Sequence, residues 1–155
     1  MFRRRGLARL AAGEGGGFGG GGGGARGRLG QVLTLVLMRE DPVLCHHLAD
    51  LGVQPGLYAC TWVETAFTAG PRGLPQAVRA AAWDAWLATG RPAVLLQVAV
   101  AIIIISRHLL LHMEEGETIQ YLTNLSRSEE TLGKDAVLSC ALNIDIEDDV
   151  MMKLI

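Results

Sequence analysis

Four histidines are the first residues in this chain whose type suits catalysis or metal binding. His108 and His112 are four residues apart and would share one face of a helix. A zinc-protease motif also needs a glutamate directly after the first histidine, and Leu109 stands there instead. The adjacent His46 and His47 would point about 100° apart on a helix, so they would not easily bind one ion. We therefore predict no metal site and interpret the histidines as solvated or hydrogen-bonded.

Cysteine chemistry is the second possibility. A cysteine nucleophile needs a histidine in contact with it and a third group that orients the histidine. Cys45 directly precedes His46, but sequence neighbours on a helix do not face each other. Cys60 lies among core-type residues and is predicted to be a small buried hydrophobe. With Cys140, the three cysteines form no Cys-x-x-Cys pair, which argues against a disulfide framework and is typical of a reducing compartment.

The acidic residues also fail to form a catalytic arrangement. Glu64 and Asp84 are single acids in otherwise apolar segments, and we expect Asp84 to hold a loop or a cap rather than act as a base. Glu114, Glu115 and Glu117 are interpreted as a solvated acidic edge. We predict no catalytic residue, no cofactor-binding residue and no metal ligand in this chain.

The N-terminal segment, residues 1–30, is predicted to be a disordered arginine- and glycine-rich tail. Residues 13–30 include twelve glycines, which lose much backbone entropy on ordering and bury almost no side chain. No strand precedes the glycines and no Gly-Lys-Ser/Thr follows, so a nucleotide-binding loop is not indicated. The tail has a net charge of +5 and the remaining residues −7, which disfavours non-specific nucleic-acid binding by the folded part.

Helical periodicity begins after the tail. Residues 31–38 are apolar enough for either a strand or a buried helical turn. Asp41-Pro42 predicts a helix N-terminus, and Gly52 predicts its end. Further helices are expected over residues 57–68 and from Leu74-Pro75 to Gly90.

Residues 93–105 form a run of thirteen residues that are all apolar except Gln97. A bilayer span needs about twenty apolar residues, so a buried core helix is the preferred interpretation, ahead of a transmembrane span. The four consecutive isoleucines leave a strand as the least favoured alternative, because no comparable partner strand exists. Beyond them, helical spacing recurs over residues 118–125 and 135–142, and residues 143–155 show no convincing period.

The order of motifs in the centre of the chain is distinctive. It contains Asp41-Pro42-Val43-Leu44-Cys45-His46-His47-Leu48, then Pro55-Gly56-Leu57-Tyr58-Ala59 with Trp62 and Phe67, then Trp83-Asp84 with Gly90. This resembles the C-terminal half of a TBC domain, the all-helical catalytic module of Rab GTPase-activating proteins. The similarity covers about residues 32–111 and departs from the family at Ala81-Ala82, where a basic residue would precede Trp83.

The resemblance implies an all-α helical array like the C-terminal subdomain of a TBC domain. The implied organisation is a tail (1–30), a partial TBC-like domain (31–125), and a C-terminal helix with an acidic tail (126–155). Members of the family insert an arginine and a glutamine into the nucleotide site of the GTPase, from an I-x-x-D-x-x-R and a Y-x-Q motif. Neither pattern occurs in this sequence, and no arginine of the tail has the surrounding framework.

The resemblance therefore implies a truncated Rab GTPase-activating module that lacks its own catalytic arginine and glutamine. Such a chain is a fragment of a longer protein, an incorrectly assigned gene product, or a scaffold that binds without catalysing. The implied partner is a Rab-type small GTPase, with no cofactor, no nucleic acid, a cytoplasmic location and membrane contact only through the GTPase. The alternatives are a helical adaptor with no GTPase link and, less favoured, a small protein anchored in a membrane by residues 93–111.

Overall fold

The described residues of the protein, which are 25–54, 58–68, 74–125, 128 and 132–147 of a computed structural model, are all-α. They form eight helices and no strand, which confirms the predicted fold class. The helices are α1 (Ala25–Glu40), α2 (Pro42–Asp50), α3 (Ala59–Glu64), α4 (Gln76–Thr89), α5 (Ala93–Ile105), α6 (Arg107–Leu110), α7 (Glu115–Leu122) and α8 (Lys134–Leu142). Most of the predicted tail, residues 1–24, lies outside the described residues.

Helix α1 resolves the ambiguity over residues 31–38, which are helical rather than extended. The helix begins at Ala25, six residues before the predicted domain boundary. Leu29 and Leu33, one turn apart on the same face, are both buried in the core. Burial of this stripe offsets the conformational cost of Gly30, which lies between them in the helix.

Helix α2 begins and ends as its sequence predicts. The Asp41 carboxylate accepts a hydrogen bond from the Leu44 amide at 3.2 Å, and proline occupies the first helical turn. At the other end Gly52 has a φ of +75°, a conformation that glycine adopts without steric cost. The amides of Gly52 and Val53 donate to the carbonyls of Ala49 and Leu48, which is the paired-bond pattern of a Schellman motif.

Helix α5 is the centre of the fold, and helices α1, α3, α4 and α8 all pack against it. Eleven of its thirteen residues are buried, including Gln97. The interpretation as a buried core helix is confirmed, and the strand alternative is wrong because the isoleucine run is helical. Among the described helices, none combines the length with the apolar composition that a membrane span requires.

Helix α8 lies beyond the segment in which family motifs were found, yet it packs against both α5 and α4. Its Val137 and Ala141 are buried, and so are Ile144 and Ile146 in the segment that follows it. The described residues of the predicted C-terminal region therefore belong to the same hydrophobic core as α1–α5. Residues 148–155 lie outside the described residues.

Candidate functional site

The residue that caps the start of α2, Asp41, forms an ion pair with Arg107, the first residue of α6. Arg107 Nε donates to Asp41 Oδ2 at 2.8 Å, while the other carboxylate oxygen caps α2 through the Leu44 amide. The arginine side chain is about half exposed and the aspartate largely buried. One carboxylate thus fixes both the first turn of α2 and its position against the α5–α6 junction.

His47 makes a second link between the same elements. Its Nε2 lies 2.8 Å from the carbonyl oxygen of Leu110 at the end of α6. A carbonyl only accepts, so Nε2 carries the proton in this contact and is not free to ligate a metal. The structure thus gives His47 the hydrogen-bonded role that the sequence predicted.

The second candidate histidine pair is not brought onto one helix face. His108 lies in α6, which ends at Leu110, and His112 lies in the turn that follows. Both side chains are exposed. Among the described residues, no group of three or more His, Cys, Asp or Glu side chains is arranged to hold a metal ion.

The aromatic residues of the central motifs form the core around α3. Trp62 is 1% exposed and Phe67 is fully buried. The rings of Tyr58 and Trp62 are tilted by 55° with centroids 5.2 Å apart, a favourable aromatic geometry. These side chains pack in the core and hold α3 in place.

The chain leaves α3 through a strained turn that shortens the predicted helix. A helix was expected over 57–68, but α3 ends at Glu64 because Ala66 and Phe67 adopt positive φ angles of 48° and 65°. Their amides donate to the carbonyls of Val63 and Trp62 at 3.1 and 2.7 Å. This is the same paired-bond pattern that ends α2, but it is built without glycine, and it directs the Phe67 side chain into the core.

Trp83 fastens this turn to α4. Its indole Nε1 donates to the carbonyl oxygen of Ala66 at 2.8 Å, while the residue remains 39% exposed. Its neighbour Asp84 is exposed in the middle of α4, whose ends are capped by Pro75 and Gly90. The prediction that Asp84 forms a cap is therefore wrong, and the loop is held instead by the tryptophan.

Replacing Ala66 with glycine is expected to stabilise the protein. Glycine adopts a φ of 48° without the penalty that the Cβ of alanine incurs, which is about 1–2 kcal/mol. Part of this gain is lost because glycine makes the unfolded chain more flexible, leaving a net stabilisation of about 0.5–1 kcal/mol. Urea denaturation of Ala66→Gly measures the change in the free energy of unfolding.

The matched control is Ala80→Gly, at an exposed position inside α4. There the same substitution is expected to destabilise by about 0.5–1 kcal/mol, because the helical φ is one that alanine already favours. Equal destabilisation by both substitutions would show that the turn at Ala66 is not strained.

The cysteines are structural in this fold. Cys45 and Cys60 are buried free thiols, and Cys140 is partly buried. Burial, helped by the nearby charge of Asp41, raises the pKa of the Cys45 thiol from 9.0 to about 11. Burial is also the main cause that raises the pKa of the Tyr58 phenol, whose hydroxyl has no hydrogen-bond partner among the described residues. The raised pKa makes the Cys45 thiol a poor nucleophile. Cys60 is fully buried, as the sequence predicted.

Alkylation rates are expected to distinguish the cysteines. With a pKa of about 11, roughly one Cys45 in 10⁴ is a thiolate at pH 7, against about one in 100 for a pKa of 9.0. We therefore expect iodoacetamide to modify Cys45 at least about 100-fold faster in urea than in the native protein. Peptide mass spectrometry measures the rate, with the partly buried Cys140 as internal control. Native labelling of Cys45 as fast as that of Cys140 would contradict a buried role.

The acidic edge has a local structural function. Glu114 and Glu117 form a capping box at the start of α7, in which the Glu114 amide donates to the Glu117 carboxylate at 3.2 Å. Together with Glu115 they are exposed, as predicted. Negative charge at a helix N-terminus is favourable, so these residues stabilise α7 without forming a reactive cluster.

One feature that the sequence did not indicate is the anchoring of the chain after α8. Three consecutive carbonyl oxygens, those of Ile144, Asp145 and Ile146, each accept a hydrogen bond from a side chain of a different part of the fold. The donors are Gln97 at 2.5 Å, Arg39 at 2.5 Å and Arg91 at 3.3 Å. The partners are 47 to 106 residues apart, so no local sequence signal identifies these bonds.

The central motifs of this all-helical fold supply helix capping, an ion pair and core packing. The model of the Rab-GTPase-TBC domain family matches residues 27–111, which is more than half of the chain. The chain therefore belongs to the Rab-GTPase-TBC domain family. Comparison with curated proteins and with solved structures gives no match.

Proposed function

We propose that this chain binds a Rab-type small GTPase through a partial TBC module and does not itself accelerate GTP hydrolysis. One observation carries the proposal. The family match covers residues 27–111, whereas neither the I-x-x-D-x-x-R nor the Y-x-Q motif occurs anywhere in the 155 residues. In this proposal the family-matched segment binds the GTPase. The arginine and the glutamine that would complete the nucleotide site of the GTPase are not supplied by this sequence.

Three arginines of the described fold support this division. A finger must extend to the transferring phosphoryl group, where it stabilises developing charge. Arg107 is instead paired with Asp41, and Arg39 and Arg91 donate to backbone carbonyls of the segment after α8. Each of these three arginines makes a bond within the fold, and that bond would break if the side chain moved toward a bound GTPase. The proposal accordingly nominates no catalytic residue and places the chain in the cytosol, in the vesicle trafficking that Rab proteins direct.

A helical adaptor with no GTPase link is the second candidate, and a specific feature favours it. Leu87 on α4 is 73% exposed, and Trp83 lies one turn away on the same face. Large apolar residues that are exposed together commonly mark a protein-binding surface. Such a surface would bind a partner irrespective of a nucleotide, which distinguishes the two candidates.

Binding to a panel of purified Rab proteins tests the proposal. Each Rab is loaded with GDP or with a non-hydrolysable GTP analogue, and the full chain is titrated by fluorescence anisotropy. We expect at least one Rab to bind with an affinity that depends about tenfold or more on the nucleotide. Equal binding to both nucleotide states, or binding to no Rab, would contradict the proposal and favour the adaptor.

A further inference from the structure

The strap, residues 144–147, begins two residues after α8 ends and shows an alternating pattern of burial. Ile144 and Ile146 are only 2% and 3% exposed, whereas Asp145 and Glu147 are exposed. A period of two residues is typical of an extended chain and not of a helix. The strap therefore places an isoleucine in the core at every second position.

The backbone of the strap is held by side chains. Its first three carbonyl oxygens accept hydrogen bonds from Gln97 Nε2 on α5, Arg39 Nη2 on α1 and Arg91 Nη2 just after α4. These three donors, the clamp, come from separate elements of the fold and meet on consecutive peptide groups. In sites that bind extended peptides, bonds to the main chain give affinity and pockets for alternate side chains give specificity. The clamp and the two buried isoleucine positions divide these roles in the same way.

Gln97 is the clamp residue that lies deepest in the fold. It is the only polar residue of α5 and is 5% exposed. A buried amide costs free energy unless it is hydrogen-bonded, and this amide donates to the Ile144 carbonyl oxygen at 2.5 Å. The polar group at the centre of the core is therefore matched to a backbone carbonyl of the strap.

The charges of the clamp suit an acidic segment. Arg39 and Arg91 bring two positive charges to a segment whose exposed residues, Asp145 and Glu147, are both acidic. Glu40 pairs with Arg39 at 2.9 Å and offsets part of this charge. The strap thus shows the ligand that the site accepts, which has two large apolar side chains two residues apart and acidic residues at the alternate positions.

We propose that the clamp and the two isoleucine positions form a binding site for an extended acidic segment of a partner protein, and that the strap occupies this site as an internal ligand. The partner segment carries large apolar residues two apart, as the strap does. It replaces the strap while α8 stays in place, because α8 has its own buried residues, Val137 and Ala141. Tethering gives the strap an effective concentration of about millimolar, so the partner segment competes with it. This proposal is independent of GTPase binding.

Peptide binding to the full chain, followed by fluorescence anisotropy, tests the proposal. The probe is the fluorescein-labelled peptide Leu-Asn-Ile-Asp-Ile-Glu, which repeats residues 142–147. In the full-length variant Ile144→Ala/Ile146→Ala the strap is a weaker competitor, so we expect the peptide to bind at least tenfold more tightly than to the unmodified chain. The control peptide Leu-Asn-Asp-Ile-Ile-Glu has the same composition and charge but adjacent isoleucines, and we expect it to bind at least tenfold more weakly. Equal binding of the two peptides, or no gain in the variant, would overturn the proposal.

Methyl NMR of the unmodified chain tests displacement without any substitution. The unlabelled peptide is added to about 10 mM, roughly ten times the effective concentration of a tethered ligand. We expect the methyl resonances of Ile144 and Ile146 to move toward their random-coil positions, while those of Val137 keep their native positions because α8 remains docked. Unchanged isoleucine resonances, or loss of the native Val137 signals as well, would overturn the proposal.

A substitution in the clamp tests the role of Gln97. Gln97→Met, made in the Ile144→Ala/Ile146→Ala chain, keeps a long side chain and removes the amide donor. We expect it to weaken binding of the peptide about tenfold, because the bound carbonyl loses its hydrogen bond. Leu96→Met, at a neighbouring buried position of α5, is the matched control and is expected to change the affinity less than about twofold. Equal affinities in the two variants would contradict the assignment of Gln97 to the clamp.

Discussion

Removal of residues 132–155 is expected to abolish the cooperative unfolding of this protein, although the family match ends at residue 111. Helix α8 and the segment after it cover α5, and the truncation removes the buried side chains of Leu132, Val137, Ile144 and Ile146. Burial of each such side chain contributes about 1.5–3 kcal/mol. The combined loss is similar to the whole stability of a typical domain, about 5–15 kcal/mol. Thermal unfolding followed by circular dichroism measures the outcome.

The control is a chain that ends at Glu147. It keeps α8 and the three anchored carbonyls, so it is expected to unfold cooperatively with a midpoint within a few degrees of the full chain. If the longer truncation, ending before residue 132, also unfolded cooperatively with a similar midpoint, α8 would be dispensable and the family-matched segment would fold by itself.

Replacement of Trp62 by alanine is expected to cost about 3–5 kcal/mol of the free energy of unfolding. The side chain is 1% exposed, lies at the centre of α3 and packs on the ring of Tyr58. The substitution leaves a cavity that the neighbouring helices fill only in part. Chemical denaturation monitored by far-ultraviolet circular dichroism, which does not depend on tryptophan emission, measures the loss.

Leu87→Ala is the control, because it truncates a large apolar residue that is 73% exposed. Its effect on the free energy of unfolding is expected to stay within about 0.5 kcal/mol. A loss of less than about 1 kcal/mol for Trp62→Ala would mean that α3 does not belong to the cooperative core, which would contradict the packing described above.

The sequence predicts the elements whose signals are local. Asp41-Pro42 and Gly52 set the bounds of α2, and Gly90 ends α4 with a φ of +65°. The apolar run that becomes α5 is predicted as a buried helix because it is too short for a bilayer span. In each case a few adjacent residues determine the result, through capping or through length.

Features that depend on distant residues could not be predicted in this way. The turn at Ala66 and Phe67 contains no glycine, and its positive φ angles follow from burial of the phenylalanine and from the indole bond of Trp83. The anchoring of Ile144 requires Gln97, which lies 47 residues earlier. Asp84 has the sequence context of a cap, but the helix continues past it because the N-terminus of α4 lies at Gln76.

Single-turnover GTP hydrolysis tests most directly whether this chain binds a Rab protein without accelerating hydrolysis. The assay uses the GTP-loaded Rab that binds the chain most tightly. An arginine finger is worth about 10³–10⁵ in rate, so its presence or absence is easily measured. With the Rab saturated by the full chain, the proposed scaffold predicts a hydrolysis rate within about twofold of the intrinsic rate. Stimulation of about tenfold or more, at a chain concentration that follows the binding curve, would contradict it and show that this chain carries catalytic groups outside the two family motifs.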